Sequence, residues 1–351
     1  MGRKQEQAPM KKITLLYRLL AVSLAAAASS HAAAASADPD ACQHGAGPAC
    51  YQSFQLPQGG GALHFYASLP EGAAPVNAIV AMHGHPRDAN RTFDATLRAA
   101  RNAGALDDTL VIAPVFQVAT NRSAKCNAPG TPDPQDGDLL WTCSSWLDGE
   151  RATNGAQPTS FAAMDALIAE LARRWPSLQG ITLAGFSAGA QMVQHYIGFA
   201  HPPAERPLTL RYVVSDPGTW LYFDAYRPEA AGGDCIGVNR WKYGTDGLPA
   251  ELGSSAAQAR SRYSAADIRY LEAELDGANN PGTAYRLLDK SCGAMAQGPF
   301  RLQRGQAYAE YDRKMLAPDK NRQVTVVPGC AHDVACVFPS DAARNALFGT
   351  R

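Results

Sequence analysis

A serine between glycines, a late histidine and an aspartate each follow a strand-like run in this sequence, and together they could transfer an acyl group. The serine is Ser187 in ITLAGFSAGAQM (181–192), where apolar residues run into Gly185-Phe186-Ser187-Ala188-Gly189 and then into helix-like sequence. A strand turning straight into a helix forces an unusual backbone on the residue at the turn. Only small neighbours fit beside it, which accounts for both glycines. The helix N-terminus adds free N–H groups and a dipole that favour negative charge on a nearby oxygen. An N-cap serine would explain Ser187 but not the paired glycines. Ser187 is read as a nucleophile.

A serine hydroxyl needs a base. His332 lies in GCAHDVAC, directly after the strand-like QVTVVPG (323–329), and is the only histidine beyond position 201. His195 sits inside the helix that follows Ser187, so its ring should point away from the turn. His332 is the expected base. A carboxylate must then fix its tautomer. Asp276 follows IRYLEAEL (268–275), next to the final strand that carries His332, and is preferred. Its rival is Asp216, which ends RYVVSD (211–216) one strand earlier. Glu272 and Glu274 alternate with Asp276 and read as polar-face residues.

An oxyanion needs two backbone donors. One is the N–H of Ala188, just after the nucleophile. The other comes from the loop His83-Gly84-His85-Pro86-Arg87-Asp88, where proline has no N–H, so His85 is the expected donor and Gly84 permits the close approach. His83 and His85 as metal ligands would want an Asp and a further His immediately after. Asp88 arrives one position late with no His beside it, so no metal is expected. Asp133, Asp136 and Asp138 in PDPQDGD match no full calcium pattern.

The elements that must position these residues alternate. AIVAMHG (78–84), TLVIAPVF (109–116), GITLAGF (180–186), RYVVSD, IRYLEAEL and QVTVVPG read as strands, and 92–104, 160–175, 188–200, 301–316 and 340–348 as helices. Such alternation implies a mostly parallel sheet covered by helices on both faces, with ligands at the carboxyl ends of its strands. Two irregular insertions, 117–158 and 217–264, interrupt it. Their Trp141, Trp146, Trp220 and Trp241 are candidate substrate contacts, and a small core under long loops would also account for them.

The chain has 351 residues, 46% hydrophobic and 18% charged, enough for one large domain. Its 32 basic and 32 acidic residues leave no net field to attract nucleic acid or an anionic membrane. Lys11 and Lys12, the apolar ITLLYRLLAVSLAAAA and Ala35-Ser36-Ala37 are the parts of a secretory signal peptide spanning 1–37, with the catalytic domain at 38–351. No later segment is long and apolar enough to span a bilayer. All eight cysteines lie beyond the signal, and an even count in an oxidising compartment reads as four disulfides. Neighbour pairing would close short loops at 42–50, 126–143 and 330–336.

G-F-S-A-G, then Asp, then His, with H-G-x after an earlier strand, resembles the α/β-hydrolase superfamily. HGHPRDANRTFD, ELDG, AQGPFRLQRGQAYAEY and GCAHD resemble secreted bacterial carboxylesterases related to polyhydroxyalkanoate depolymerases, over roughly residues 75 to 350. Ala273 departs from the glycine of the family's G-x-x-D. The resemblance implies the α/β-hydrolase fold and cofactor-free hydrolysis of a small-molecule or polymeric ester through an acyl-enzyme. A serine peptidase of the same fold would need a charged anchor, and the sequence identifies none. A catalytically inactive secreted binding protein would be expected to lack a triad member, and all are present.

Overall fold

Short apolar runs bounded by turns have become strands. The computed structural model describes residues 1–2, 40–202, 207–229 and 235–349. All but the first two residues of the leader expected at 1–37 lie outside the described ones. The described strands are β1 (Tyr51–Gln55), β2 (Ala62–Ala67), β3 (Asn77–Met82), β4 (Thr109–Val115), β5 (Gln117–Val118), β6 (Leu140–Trp141), β7 (Gly180–Phe186), β8 (Thr209–Ser215), β9 (Asp267–Ala273) and β10 (Val324–Val327). Eight form one sheet in the order β1-β2-β4-β3-β7-β8-β9-β10, and β5 pairs with β6 apart from it. From β4 to β10 every neighbouring pair is parallel, while β1, β2 and β4 pair antiparallel at one edge.

The helices are α1 (Ala41–His44), α2 (Ala89–Asn102), α3 (Ser160–Arg174), α4 (Ala188–Phe199), α5 (Ala256–Ala265), α6 (Cys292–Met295), α7 (Arg301–Tyr311), α8 (Val334–Val337) and α9 (Asp341–Phe348). Strand alternation sorts the core between them, because successive side chains point to opposite faces. Val80, Met82, Leu183, Tyr212 and Val214 pack with residues of α3, α4, α5 and α7. Ile79, Ala81, Ala184, Val213 and Leu271 pack with α2 and α9. Strands apolar on both faces, covered on both faces, are what a buried parallel sheet requires.

Four disulfides join the cysteines as sequence neighbours: Cys42–Cys50, Cys126–Cys143, Cys235–Cys292 and Cys330–Cys336. Two element boundaries differ most from the periodicity. α2 begins at Ala89, directly after Asp88. The helix expected over 301–316 is α-helical only to Tyr311 and continues as a wider π turn over Asp312–Leu316. There the buried Asp312 accepts from Tyr270 at 2.7 Å and from Arg322 at 3.1 Å, contacts that a hydrophobic count does not register.

Candidate active site

The turn between β7 and α4 is as tight as its glycines suggest. A Cβ on Gly185 would sit 2.3 Å from the carbonyl oxygen of Gly189, and one on Gly189 would sit 2.4 Å from that of Met82. Ser187 itself holds φ 58°, ψ −121°, a strained backbone for a residue with a side chain. Its N–H donates to the carbonyl of Ser215 at 2.9 Å, which ties the turn to the end of β8.

His332 reaches this serine from the loop after β10. Its Nε2 lies 2.7 Å from Ser187 Oγ and its Nδ1 2.7 Å from Asp276 Oδ2. A carboxylate only accepts, so Nδ1 carries the proton and Nε2 is left to accept from the serine hydroxyl. Asp216 does not touch the ring. Its Oδ1 accepts from the N–H of Ala273 at 2.7 Å and its Oδ2 from Ser215 at 2.8 Å, so it staples β8 to β9, the strand that leads into Asp276. The preferred aspartate and not its rival meets His332.

Several bonds hold the histidine loop. His332 N–H donates to Gly282 O at 3.1 Å, and Leu275 N–H to Cys330 O at 2.9 Å. Arg91 of α2 pairs with Asp333 at 2.7 Å, and the Cys330–Cys336 bridge closes the loop. The Phe186 ring packs against the imidazole with centroids 4.7 Å apart. The bridge is therefore one restraint among several. A Cys330→Ser/Cys336→Ser variant is expected to stay folded, to lose about 2 kcal/mol from so short a closed loop, and to lose turnover by about tenfold as the base loosens. Turnover beside thermal unfolding checks this, and an unchanged kcat would mean the other bonds suffice.

Burial, and then the nearby Arg301 cation, push the His332 pKa below the ordinary imidazole value, while its bond to Asp276 pulls the other way. A base must be neutral, so its activity disappears as pH falls through its pKa. The acid limb of kcat/KM is expected below pH 6.5, the unperturbed value. A limb above it would contradict this environment.

In the loop after β3, Gly84 N–H is taken by Asp88 Oδ1 at 2.9 Å and Pro86 has no N–H; His85 between them lines the same cleft as Ser187. Ala188 opens α4, where the first N–H groups have no partner within the helix. His83 is fully buried, its Nδ1 against Gly84 O at 2.8 Å and its Nε2 accepting from Phe116 N–H at 3.2 Å, so neither nitrogen is open to a metal. Among the described residues, Asp216, Asp276 and His332 are the one group with ligand geometry, and both nitrogens of His332 are already engaged. Asp138 of PDPQDGD pairs instead with the buried His64 at 2.8 Å.

His85, Ser187, Ala188, Gln191 and His332 line a cleft of about 370 Å³. None of the four candidate tryptophans does. Trp141, Trp146 and Trp220 are at most 1% exposed, and Trp241 packs against the same core. Their rings stack inward: Trp146 on Phe116 at 5.8 Å, Trp220 on Tyr308 at 4.4 Å. Burying so large an apolar surface outweighs exposing it in a cleft. Three further features escaped the sequence reading. Arg301 lines the cleft and pairs with Asp276 at 3.3 Å, both side chains buried. Lys242 lies in the wall with its ammonium 3.8 Å from Asp148 and 3.9 Å from Asp289. Glu272 is not on a polar face: it is fully buried under α7.

No protein-family model matches the chain, and no curated protein matches it. Among solved structures it is similar to poly(aspartic acid) hydrolase-1 from Sphingomonas sp. KT-1, at 18% identity and a TM-score of 0.56, over 85% of this chain and 98% of that one. It is also similar to the poly(3-hydroxybutyrate) depolymerase LpqC from Bordetella parapertussis, at 20% identity and a TM-score of 0.56, over 81% of this chain and 83% of that one. Identities this low speak to architecture alone. What the architecture shares with them is the parallel sheet and its helical layers, and the chain has the α/β-hydrolase fold.

Proposed function

We propose that this protein is an exported serine hydrolase that cleaves carboxylic esters, small or polymeric. The observation that carries the reading is the contact line Ser187–His332–Asp276 at a cleft, with both contacts at 2.7 Å. His332 takes the proton of Ser187 as Oγ attacks the ester carbonyl, and Asp276 holds the resulting imidazolium. The N–H groups of His85 and Ala188 receive the oxyanion, where each donor typically contributes about 3 kcal/mol. His332 then returns the proton to the leaving alcohol. Water, deprotonated by the same histidine, releases the acid from Ser187. Four disulfides suit an oxidising compartment and support export.

One observation favours a second reading, amide hydrolysis. Lys242 is a charged group in the cleft wall of the kind a peptidase needs as an anchor. Short p-nitrophenyl esters assayed beside aminoacyl amides separate the two. Preferential turnover of esters supports the first, turnover of amides alone the second, and turnover of neither an inactive binding protein.

A further inference from the structure

Three carboxyls crowd behind His332, and one cation, Arg301, bears on them. Asp276 touches the ring, and Asp216 and Asp276 offer oxygens within 4.8 Å of each other and of His332. Glu272, on β9, is fully buried, and its carboxyl oxygens meet no N–H or hydroxyl donor among the described residues, only the carboxyl of Asp216. It fits because α7 has glycine above it: a Cβ on Gly305 would lie 1.9 Å from Glu272 Oε1. One turn earlier on the same helix face stands Arg301. Its Nη1 donates to Asp276 Oδ1 at 3.3 Å and to Thr283 O at 2.8 Å, with 4% of its side chain and 2% of Asp276's exposed. Arg304, next along that face, gives its guanidinium to the carbonyls of Gly218, Asp289 and Gly298 instead.

A buried cluster of this size cannot hold three negative charges against one guanidinium. The charge settles where the polar contacts are. Asp276 receives the guanidinium and the imidazole N–H. Asp216 receives one backbone N–H and one hydroxyl, and Glu272 meets only the carboxyl of Asp216. Taking Asp276 as the acid of the proposed triad, we propose that Arg301 is the positioning residue that keeps the cluster's negative charge on Asp276 and leaves Asp216 and Glu272 protonated. The directions of titration agree. Burial pushes Asp216 up to about 7 and Glu272 well above the carboxylate range, with Asp276 raising the first further and both aspartates the second. No proton leaves the pair during turnover; the pair stays neutral enough for His332 to see one counter-charge and not two.

The groups facing His332 are Asp276 and Asp216 from the strand ends, Arg301 from α7 and Asp88 from the loop after β3, with Glu272 behind the two aspartates. Removing the guanidinium lifts its repulsion of the imidazolium, which moves the limb upward, and lets a proton visit Asp276, which lowers turnover. Arg301→Gln is expected to lower kcat with little change in KM, and to move the acid limb of kcat/KM upward by about one pH unit or more. Arg301→Lys, which keeps the charge, is expected to restore the limb even where its shorter head lowers kcat.

A residue that merely braces Thr283 would lower activity equally at every pH. The experiment is ester hydrolysis by the full chain between acid and alkaline pH, for wild type and these variants. An Arg301→Gln enzyme whose limb coincides with that of wild type overturns the inference and leaves the proposed function standing. Absence of ester hydrolysis through Ser187 in wild type takes both down. If Arg301→Gln does not fold, Glu272→Gln decides. A neutral isostere of a neutral acid keeps the wild-type limb, whereas a limb moved to lower pH would put the charge on Glu272 and overturn the inference.

Discussion

Ser187→Ala is expected to abolish ester hydrolysis, with kcat falling by at least about 10⁴, while the protein stays folded. The hydroxyl is the only part of the side chain that the mutation removes, and its contact is to His332 Nε2 at 2.7 Å. The backbone of the turn is held separately, by the bond from Ser187 N–H to Ser215 O and by the close approach of Gly189 to Met82. Far-UV circular dichroism and the unfolding temperature should therefore match wild type. Residual turnover above about a hundredth of wild type would contradict the assignment, since a triad nucleophile is worth far more than that.

Asp276→Asn is expected to lower kcat by about 10³–10⁴, with KM little changed. Asparagine can present an N–H to His332 Nδ1, which would draw the ring proton to Nε2 and leave no lone pair for the serine. Asp216→Asn should cost less than about tenfold, the equivalent of one neutral hydrogen bond. It keeps an oxygen for the N–H of Ala273 and does not reach the imidazole. Steady-state kinetics on the two variants side by side make the comparison. The reverse order would place the working carboxylate on the earlier strand.

The strand that ends at the serine was legible because parallel strands buried on both faces read as continuous apolar runs, and because steric crowding at the turn leaves glycine as the residue that fits. The histidine was legible by position, since it follows the last strand. The tryptophans were not. Trp141, Trp146 and Trp220 sit in irregular insertions with no periodicity, so nothing in their spacing separates a buried ring from one lining a cleft.

Arg301 and Glu272 had a signal that composition obscured. Glu272 falls in step with Ile268 and Tyr270 on β9, and Arg301, Arg304 and Gly305 fall in step with Tyr308 on α7, so each polar residue stands on an apolar stripe. A charged residue on such a stripe reads as solvated until a partner is known. Here the partner of Arg301 lies 25 residues away, at Asp276, and Glu272 is covered by the glycine of α7. Arg87 is similar: buried, it bonds Gln117 and Asn127 at 2.7 Å and so anchors the loop of His85 to the first insertion.

The central claim is that Ser187 forms the covalent bond to the acyl group. A fluorophosphonate reacts with a serine only where a base and an oxyanion site activate it, so the adduct reports all three at once. Mass spectrometric mapping after labelling of the folded, oxidised protein is expected to find a single adduct, on the peptide containing Ser187, formed in step with the loss of ester hydrolysis. An adduct on another residue, or full loss of activity with Ser187 unmodified, would contradict the account.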